Sequence, residues 1–343
     1  MKYNFLGKGD LQVSEIALGT MTYGEQNTPA EASAQLDYAL SLGVNFIDAA
    51  EMYPVPGRAD TQGRTEEYVG KWLLDQPRDK VIISTKVTGP SRGFGWIRNG
   101  PLSLNRENIR SAIEGSLRRL QTDYVDLYQI HWPARNVPMF GSSSFAAEKE
   151  HTATSIEEQL TVLSELVSSG KVRHIGMSNE TPWGVAEFLK VAERLGLQRI
   201  VSIQNAYNLL NRTFELSLQE VCYREQISLL AYSPLALGLL SGKYVNKPPA
   251  AGRLSLYPQF GQRYHKPNVS MAVQAYAELA KQNGLSAAQM AISYVRSRAF
   301  VGSTIIGATQ MAQLQENLEL LELDATLIKG IDEIHLRYFN PAP

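Results

Sequence analysis

The feature that most constrains this chain is a repeated unit in which a short apolar run closes on a polar residue and a helical stretch follows. VNFID closes on Asp48, VIISTK on Lys86 and YVDLYQIH on His131. VRHIGMSN closes on Ser178 and Asn179, IVSIQN on Gln204 and Asn205, ISLLAYS on Tyr232 and Ser233, and STIIG on Gly307. With EIALGT, which ends at Thr20, these make eight strand-like runs. Strands alternating with helices predict a parallel sheet, and eight repeats of the unit predict an α/β protein of the (β/α)8, or TIM barrel, class. In such a barrel the carboxyl ends of all strands share one face, and that face carries the active site. Residues far apart in sequence, from Thr20 to Gly307, are therefore expected around one mouth.

Local signals agree with that layout. Two short strand-like pieces, KYNFLG and LQVS, flank Lys8-Gly9-Asp10 and predict an N-terminal hairpin placed to plug the barrel floor. Thr28-Pro29 opens a helix that Gly43 closes, Asn105 and Thr181 are expected N-caps, and a last helix is expected from about Asp324 to Arg337. Ser155-Ile156-Glu157-Glu158 fits a capping box, and FELSLQEVCYREQ reads as one helix. Three connections, 87–104, 132–154 and 244–267, are too long for simple turns and all follow strands. They are expected to form walls and lids of the pocket, and the polar segment 141–154 is expected to be mobile. Trp96, Trp132, Phe140 and Phe260 lie in them and suggest an apolar-walled pocket.

The 343 residues suit one barrel with inserted loops, so a single domain, 1–343, is expected. A net charge of −1 gives no footprint for nucleic acid or for a membrane surface. No apolar run approaches the roughly 18 residues of a membrane span, and the first residues lack a secretory signal, which points to a cytoplasmic protein. The single cysteine, Cys222, has no disulfide partner within the chain and reads as a small apolar helix residue. No metal site is expected, because the five histidines form no H-x-x-x-H pair and no cysteine cluster.

The chemistry is carried by Asp48, Tyr53, Lys86 and His131, at or just past the ends of three successive strands. Each alone has a plain use as a helix cap, a packing residue, a surface cation or a structural histidine. Together they form a proton-transfer set. A phenol near its ordinary pKa of about 10 is a weak acid at neutral pH unless a cation stabilises the phenolate. Lys86 would be that cation, Asp48 would hold it charged and oriented, and His131 would hydrogen-bond a substrate carbonyl. Protonating a carbonyl oxygen completes a reduction only if a hydride arrives from a cofactor, since no side chain here supplies one. No G-x-G-x-x-G follows a strand. Gly238 to Tyr244 is a poor P-loop, one residue short and with Tyr244 where the metal-binding hydroxyl belongs, yet its small residues and Lys243 suit a pyrophosphate. Tyr232 could stack on a flat ring, and Ser178, Asn179 and Gln204 could bond a carboxamide. Gly307 and Thr309, followed by Gln313, Glu316 and Asn317 at helical spacing, suggest a phosphate site at a helix start and an adenosine-facing helix; the alternative for the last three is a solvated helix surface.

The segments ALGTMTYG, GVNFIDAAEMYP, VIISTKV, RLQTDYVDLYQIHWP, GKVRHIGMSN, IQNAYNLLNR, LLAYSPLALGLLSGKY and IIGATQMAQLQENL together resemble the aldo-keto reductase superfamily over essentially the whole chain. Within it the chain is most similar to the branch that holds potassium-channel β subunits and, more closely, to bacterial Tas-type reductases. The resemblance implies that Tyr53 is the general acid, that Lys86 and Asp48 activate it, and that His131 binds the carbonyl; channel β subunits depart at this last position. It implies Thr20 and Met21 beside a nicotinamide, Ser178, Asn179 and Gln204 at its carboxamide, and Tyr232 stacked on it. Ser233, Pro234, Leu235, Ala236, Leu237, Gly238, Leu239, Leu240, Ser241, Gly242, Lys243 and Tyr244 resemble the loop that closes over the pyrophosphate. Arg253, Gly307, Thr309, Gln313, Glu316 and Asn317 resemble the 2′-phosphate end, where Lys243 and Arg253 favour NADP(H) over NAD(H). The implied activity is reduction of a small aldehyde or ketone to an alcohol with NADPH. An NADP(H)-binding regulatory subunit with little turnover is the alternative, and a Schiff-base lyase or isomerase using Lys86 is the third. The physiological substrate and the oligomeric state are left open by the sequence.

Overall fold

Eight parallel strands close into a barrel because each apolar run has the length and β-branched content of a strand buried on both faces. The computed structural model describes residues 1–90, 92–245 and 249–343. An antiparallel hairpin comes first, β1 (Tyr3–Phe5) with β2 (Gln12–Ser14). The barrel strands are β3 (Ile16–Gly19), β4 (Phe46–Asp48), β5 (Ile82–Val87), β6 (Val125–Ile130), β7 (Val172–Ser178), β8 (Ile200–Ala206), β9 (Ser228–Tyr232) and β10 (Val301–Ile306). They pair in chain order, and β10 closes on β3. The helices are α1 (Pro29–Ser41), α2 (Arg64–Leu73), α3 (Arg106–Leu120), α4 (Ile156–Ser168), α5 (Pro182–Leu195), α6 (Leu218–Glu225), α7 (Arg253–Leu256), α8 (Val269–Gln282), α9 (Ala287–Arg296), α10 (Met311–Leu318) and α11 (Ala325–Arg337). Among the described residues no helix is long and apolar enough to cross a membrane.

Period-two alternation sorts the strand side chains into layers. Ala17, Phe46, Ile82, Leu127, Val201, Leu230 and Ile305 form an apolar cluster inside the barrel, and Leu6, Leu11 and Val13 of the hairpin pack into it. The hairpin therefore plugs the floor, as the sequence suggested. Two residues further along their strands come Asp48, Ser84 and Gln129, and two further again come Lys86 and His131. The polar layers are thus forced to the carboxyl end once the floor is apolar.

The expected caps form. Thr28 and Glu31 make a full capping box, Asn105 accepts from the Asn108 N–H, Thr181 from the Gly184 N–H, and Asp324 caps α11. Two local expectations are corrected. Ser155 caps α4 through its hydroxyl, but the Glu158 carboxylate accepts the Arg106 N–H (3.1 Å) of the neighbouring helix, so only half of the box exists. The segment expected as one helix from Phe214 is split. Thr213–Leu216 is a tight 3₁₀ turn, and Ser217, at φ −152°, breaks it from α6. Glu215 causes the tightening, because its carboxylate receives the Arg212 guanidinium three residues earlier. Cys222 is buried in α6 and its thiol is pushed up to about 12 by burial, as an apolar packing role requires. Segment 141–154 is tied back to its own connection. Asn136 donates to the Ala146 carbonyl (2.7 Å), and the His151 ring bonds the Ala134 carbonyl (3.1 Å).

Leu6→Ala removes a fully buried side chain from the floor cluster, remote from the mouth. It should lower unfolding free energy by about 2–5 kcal/mol in urea titrations while ligand affinity at the mouth is kept; a loss below about 1 kcal/mol would show that the hairpin is not part of the core.

Candidate active site

Asp48 and Lys86 meet at the centre of the mouth. The Lys86 ammonium is fully buried and donates to Asp48 Oδ2 (2.6 Å) and to the Ala49 carbonyl (2.7 Å). Asp48 Oδ1 accepts from the Gln204 side-chain amide (3.0 Å) and, at longer range, from that of Gln129 (3.4 Å). Gln129 also donates to Ser84 Oγ (2.7 Å). The carboxylate is thus held by three strands besides its own. Burial pushes the Lys86 ammonium down, with the Asp48 carboxylate opposing it. An amine so tied to a carboxylate and a carbonyl is poorly placed as a Schiff-base nucleophile.

Tyr53 stands above this pair on the connection after β4, with its ring centroid 5.1 Å from Lys86 Nζ. The loop is fixed by the Tyr53 N–H on the Ala50 carbonyl, the Gly63 N–H on the Tyr53 carbonyl, and the Val55 N–H on the Met21 carbonyl. Thr20 gives both its N–H and its hydroxyl to the Asp48 carbonyl (3.1 and 2.9 Å). Thr20 and Met21 therefore flank the same spot. His131 faces Tyr53 edge to face, with ring centroids 5.7 Å apart, and packs on Trp132 at 4.8 Å. The four sequence-predicted residues come together.

The electrostatics sets their proton states. Tyr53 is raised well above an ordinary phenol by burial first, and then by the Asp48 carboxylate and Tyr232, against the pull of Arg253. It carries its proton. His131 is held well below the usual 6.5 by burial, then by Lys86 and Arg92, so it is neutral. Its Nδ1 is buried without a protein partner.

The remaining predicted residues line two neighbouring areas. Around β7 to β9 the Ser178 hydroxyl donates to the Gln204 carbonyl (2.6 Å), the Asn179 amide to the His131 carbonyl (2.9 Å), and the Tyr232 hydroxyl to Asn179 Oδ1 (2.7 Å). These bonds knit a flat polar wall beside Tyr53. Ser233 to Tyr244 then winds as a compact loop, with left-handed backbone at Ser233, Ala236, Leu237, Gly238 and Gly242. At Gly238, φ +95° places the backbone where a side chain is strained, and a Cβ would approach the Lys243 ammonium at 3.0 Å. Pro234, Ala236 and Leu240 are buried, Leu235, Leu239 and Ser241 half-buried.

Further out, Tyr244 accepts the Leu254 N–H (3.2 Å) and clips Arg253 into place. The Arg253 charge lowers the Lys243 pKa, and among the described residues no carboxylate contributes to either group. Among the described residues the buried Arg253 Nε has no partner. At α10 the N-cap residue Gln310 provides no side-chain cap. Thr309 donates through N–H and hydroxyl to Gln313 Oε1 (3.1 and 3.2 Å), and Asn317 to the Gly307 carbonyl (3.3 Å). Asn317 is buried and Gln313 and Glu316 are half-buried, so this face is only partly open to solvent. Lys243, Arg253 and the start of α10, which has no side-chain cap, each offer donors suited to an anionic group.

Sequence reasoning missed Gln129, Glu51, Arg92 and the buried Arg263, whose guanidinium lies against Tyr232 and pulls its pKa down against the effect of burial. Counting back two residues from His131 would have found Gln129. Glu51, buried near Tyr53, accepts the Thr88 N–H (2.9 Å) and pairs with Arg98, whose other arm donates to the Thr88 carbonyl (3.0 Å). This pair staples the Tyr53 loop to the 87–104 connection. Arg98→Met leaves the Glu51 carboxylate buried without its cation and should cost about 3–5 kcal/mol by chemical denaturation; a cost below about 1 kcal/mol would show that the staple is dispensable.

A closed parallel barrel with a buried lysine–carboxylate pair, a protonated phenol and a neutral histidine at its carboxyl end defines a barrel enzyme built for acid–base chemistry. The chain belongs to the aldo/keto reductase family, whose model matches residues 15–335, and it is an oxidoreductase of that family. It is 48% identical to "Protein tas" of Escherichia coli (strain K12), with 100% of both chains covered. It is 31% identical to the oxidoreductase YrpG of Bacillus subtilis (strain 168), over 97% of this chain and 96% of that one. It is also 31% identical to a probable voltage-gated potassium channel subunit beta of Oryza sativa subsp. japonica, over 94% of this chain and 92% of that one.

Proposed function

We propose that the chain reduces a small aldehyde or ketone to an alcohol with NADPH. The observation that carries this reading is the convergence of Tyr53, His131 and the Asp48–Lys86 pair on one spot beside the polar wall of Ser178, Asn179, Gln204 and Tyr232. The residues fit the cofactor. Lys243, Arg253 and the start of α10 would hold its phosphates, and Tyr232 with the wall would hold its nicotinamide. When bound, NADPH supplies the hydride. Adding that hydride and one proton to a carbonyl gives the alcohol and NADP⁺.

The chain's own part is positioning and proton delivery. The neutral His131 ring donates a hydrogen bond to the carbonyl oxygen and draws negative charge onto it. Tyr53 gives its hydroxyl proton to that oxygen. The Lys86 ammonium, held by Asp48, stabilises the phenolate left behind. Burial alone would make Tyr53 a reluctant acid; the nearby buried cation lets it act.

Tyr53→Phe should lower kcat by about 10²–10⁴-fold in spectrophotometric assays with simple aldehydes, while nucleotide affinity by fluorescence titration is kept. Unchanged turnover would remove Tyr53 from the chemistry. The channel-subunit relative keeps a second reading in view, a nucleotide-binding subunit with little turnover. The neutral, partnerless His131 favours catalysis, and wild-type protein that binds NADPH but turns over no aldehyde would favour the subunit.

The pH dependence follows from the signs. His131 is neutral in the folded chain because its pKa is depressed, so it does not titrate on going from pH 6 to pH 8. Tyr53 is raised, so its proton is retained throughout that window and is lost only at much higher pH. Reduction should therefore show no inflection near pH 6.5 in kcat/KM, whereas alcohol oxidation, which needs the phenolate, should rise with pH. A limb near 6.5 that His131→Gln abolishes would contradict the neutral histidine. Arg253→Ala should cut NADPH affinity by about 10–100-fold with a smaller effect on NADH; equal losses for the two nucleotides would contradict a 2′-phosphate contact.

A further inference from the structure

The arginines around the mouth divide by what neutralises them. Arg98 pairs with Glu51, and Arg135 pairs with Glu180. Arg253 sits with Lys243 in the nucleotide loop. Arg263 is buried against Tyr232, whose pKa it pulls down against the effect of burial. Arg92 belongs to none of these groups. It lies in the connection after β5, is exposed to solvent, and no carboxylate contributes to its charge state: burial lowers its pKa and only Tyr232 opposes. Its guanidinium carbon stands 4.2 Å from the Phe140 ring centroid and 5.7 Å from that of Trp132. Trp132 in turn packs on His131, which faces Tyr53. Two connections from different strands thus hold one cation over aromatic rings, one ring away from the histidine that faces the carbonyl.

We propose that Arg92 is the anion-recognition residue of the substrate pocket, selecting carbonyl compounds that carry a carboxylate or phosphate a few bonds from the reacting carbon. The inference rests on the carbonyl-reductase reading of the site and narrows its substrate class. A guanidinium spread over aromatic faces keeps its edge N–H groups for a ligand, and a planar fork suits an oxyanion in two-pronged geometry. The cation also helps to keep His131 neutral, which places it within reach of the histidine that would meet the carbonyl. An anion bound there would neutralise Arg92 as the substrate enters and aim the carbonyl at Tyr53 and His131.

The test compares charged with neutral aldehydes: 4-formylbenzoate with the near-isosteric 4-formylbenzamide, and glyceraldehyde 3-phosphate with glyceraldehyde. Turnover is measured with NADPH. Separately, binding of the unreactive 4-(hydroxymethyl)benzoate and its amide to the NADP⁺-loaded protein is measured by calorimetry. Wild type should prefer the charged member by at least about tenfold, mainly through KM and with the preference shrinking as salt is added. The two pairs show which oxyanion is favoured. Arg92→Gln should abolish the preference in both assays, and Arg92→Lys should restore part of it. Wild type that shows no preference, or Arg92→Gln that keeps it, would overturn the proposal, as would a loss confined to NADPH affinity. Absence of turnover with every aldehyde would contradict the reductase reading instead, and the calorimetric ratio would still decide the role of Arg92.

Discussion

The buried Asp48–Lys86 pair is the contact on which the rest of the mouth depends. Taking either charge out of water alone costs several kcal/mol, and the pair is tolerable only because every polar atom finds a partner. Lys86 bonds Asp48 and the Ala49 carbonyl, while Asp48 takes amides from Gln204 and Gln129. The Asp48 carbonyl in turn receives Thr20. Side chains or backbone from β4, β5, β6 and β8, and from the turn after β3, are committed to one centre. Fixing that centre places Tyr53 and His131, because both stand on backbone that leaves the same strand ends.

The barrel separates stability from chemistry along its axis. The floor is apolar, closed by the hairpin, and can carry packing energy without reference to ligands. Above it the side chains turn polar, then charged. At the rim, cations fall into four groups: those neutralised by carboxylates, which staple connections together; Lys243 and Arg253, which the proposed function assigns to the nucleotide; Arg263, buried against Tyr232; and Arg92, over the aromatic rings of the 132–154 connection. Uncompensated positive charge is costly where it is buried, and Arg253 carries it with no carboxylate contributing among the described residues.

How much of this was legible in the sequence depended on range. The eight strands and their helices were readable because alternation and capping are local: Thr28, Asn105, Thr181 and Asp324 each announce a helix within four residues. Asp48, Lys86 and His131 were readable because they close strands whose ends must converge. Gln129 obeys the same period-two rule but looks like an ordinary strand residue unless one counts back from His131. Glu51, Arg92 and Arg263 were out of reach. Their roles depend on where long connections return, and neither periodicity nor caps determine that path. Local rules also failed where a distant partner competed: Arg106 took the Glu158 carboxylate from the expected capping box, and Arg212 tightened the start of the α6 segment through Glu215.

A double-mutant cycle on Asp48 and Lys86, read by chemical denaturation, tests most directly whether their pairing organises the site. Asp48→Asn and Lys86→Met should each cost about 3–5 kcal/mol, because each strands a buried partner, and the double variant should cost far less than the two together. Additive losses would mean that the two charges are solvated separately and that the centre of this account is misplaced.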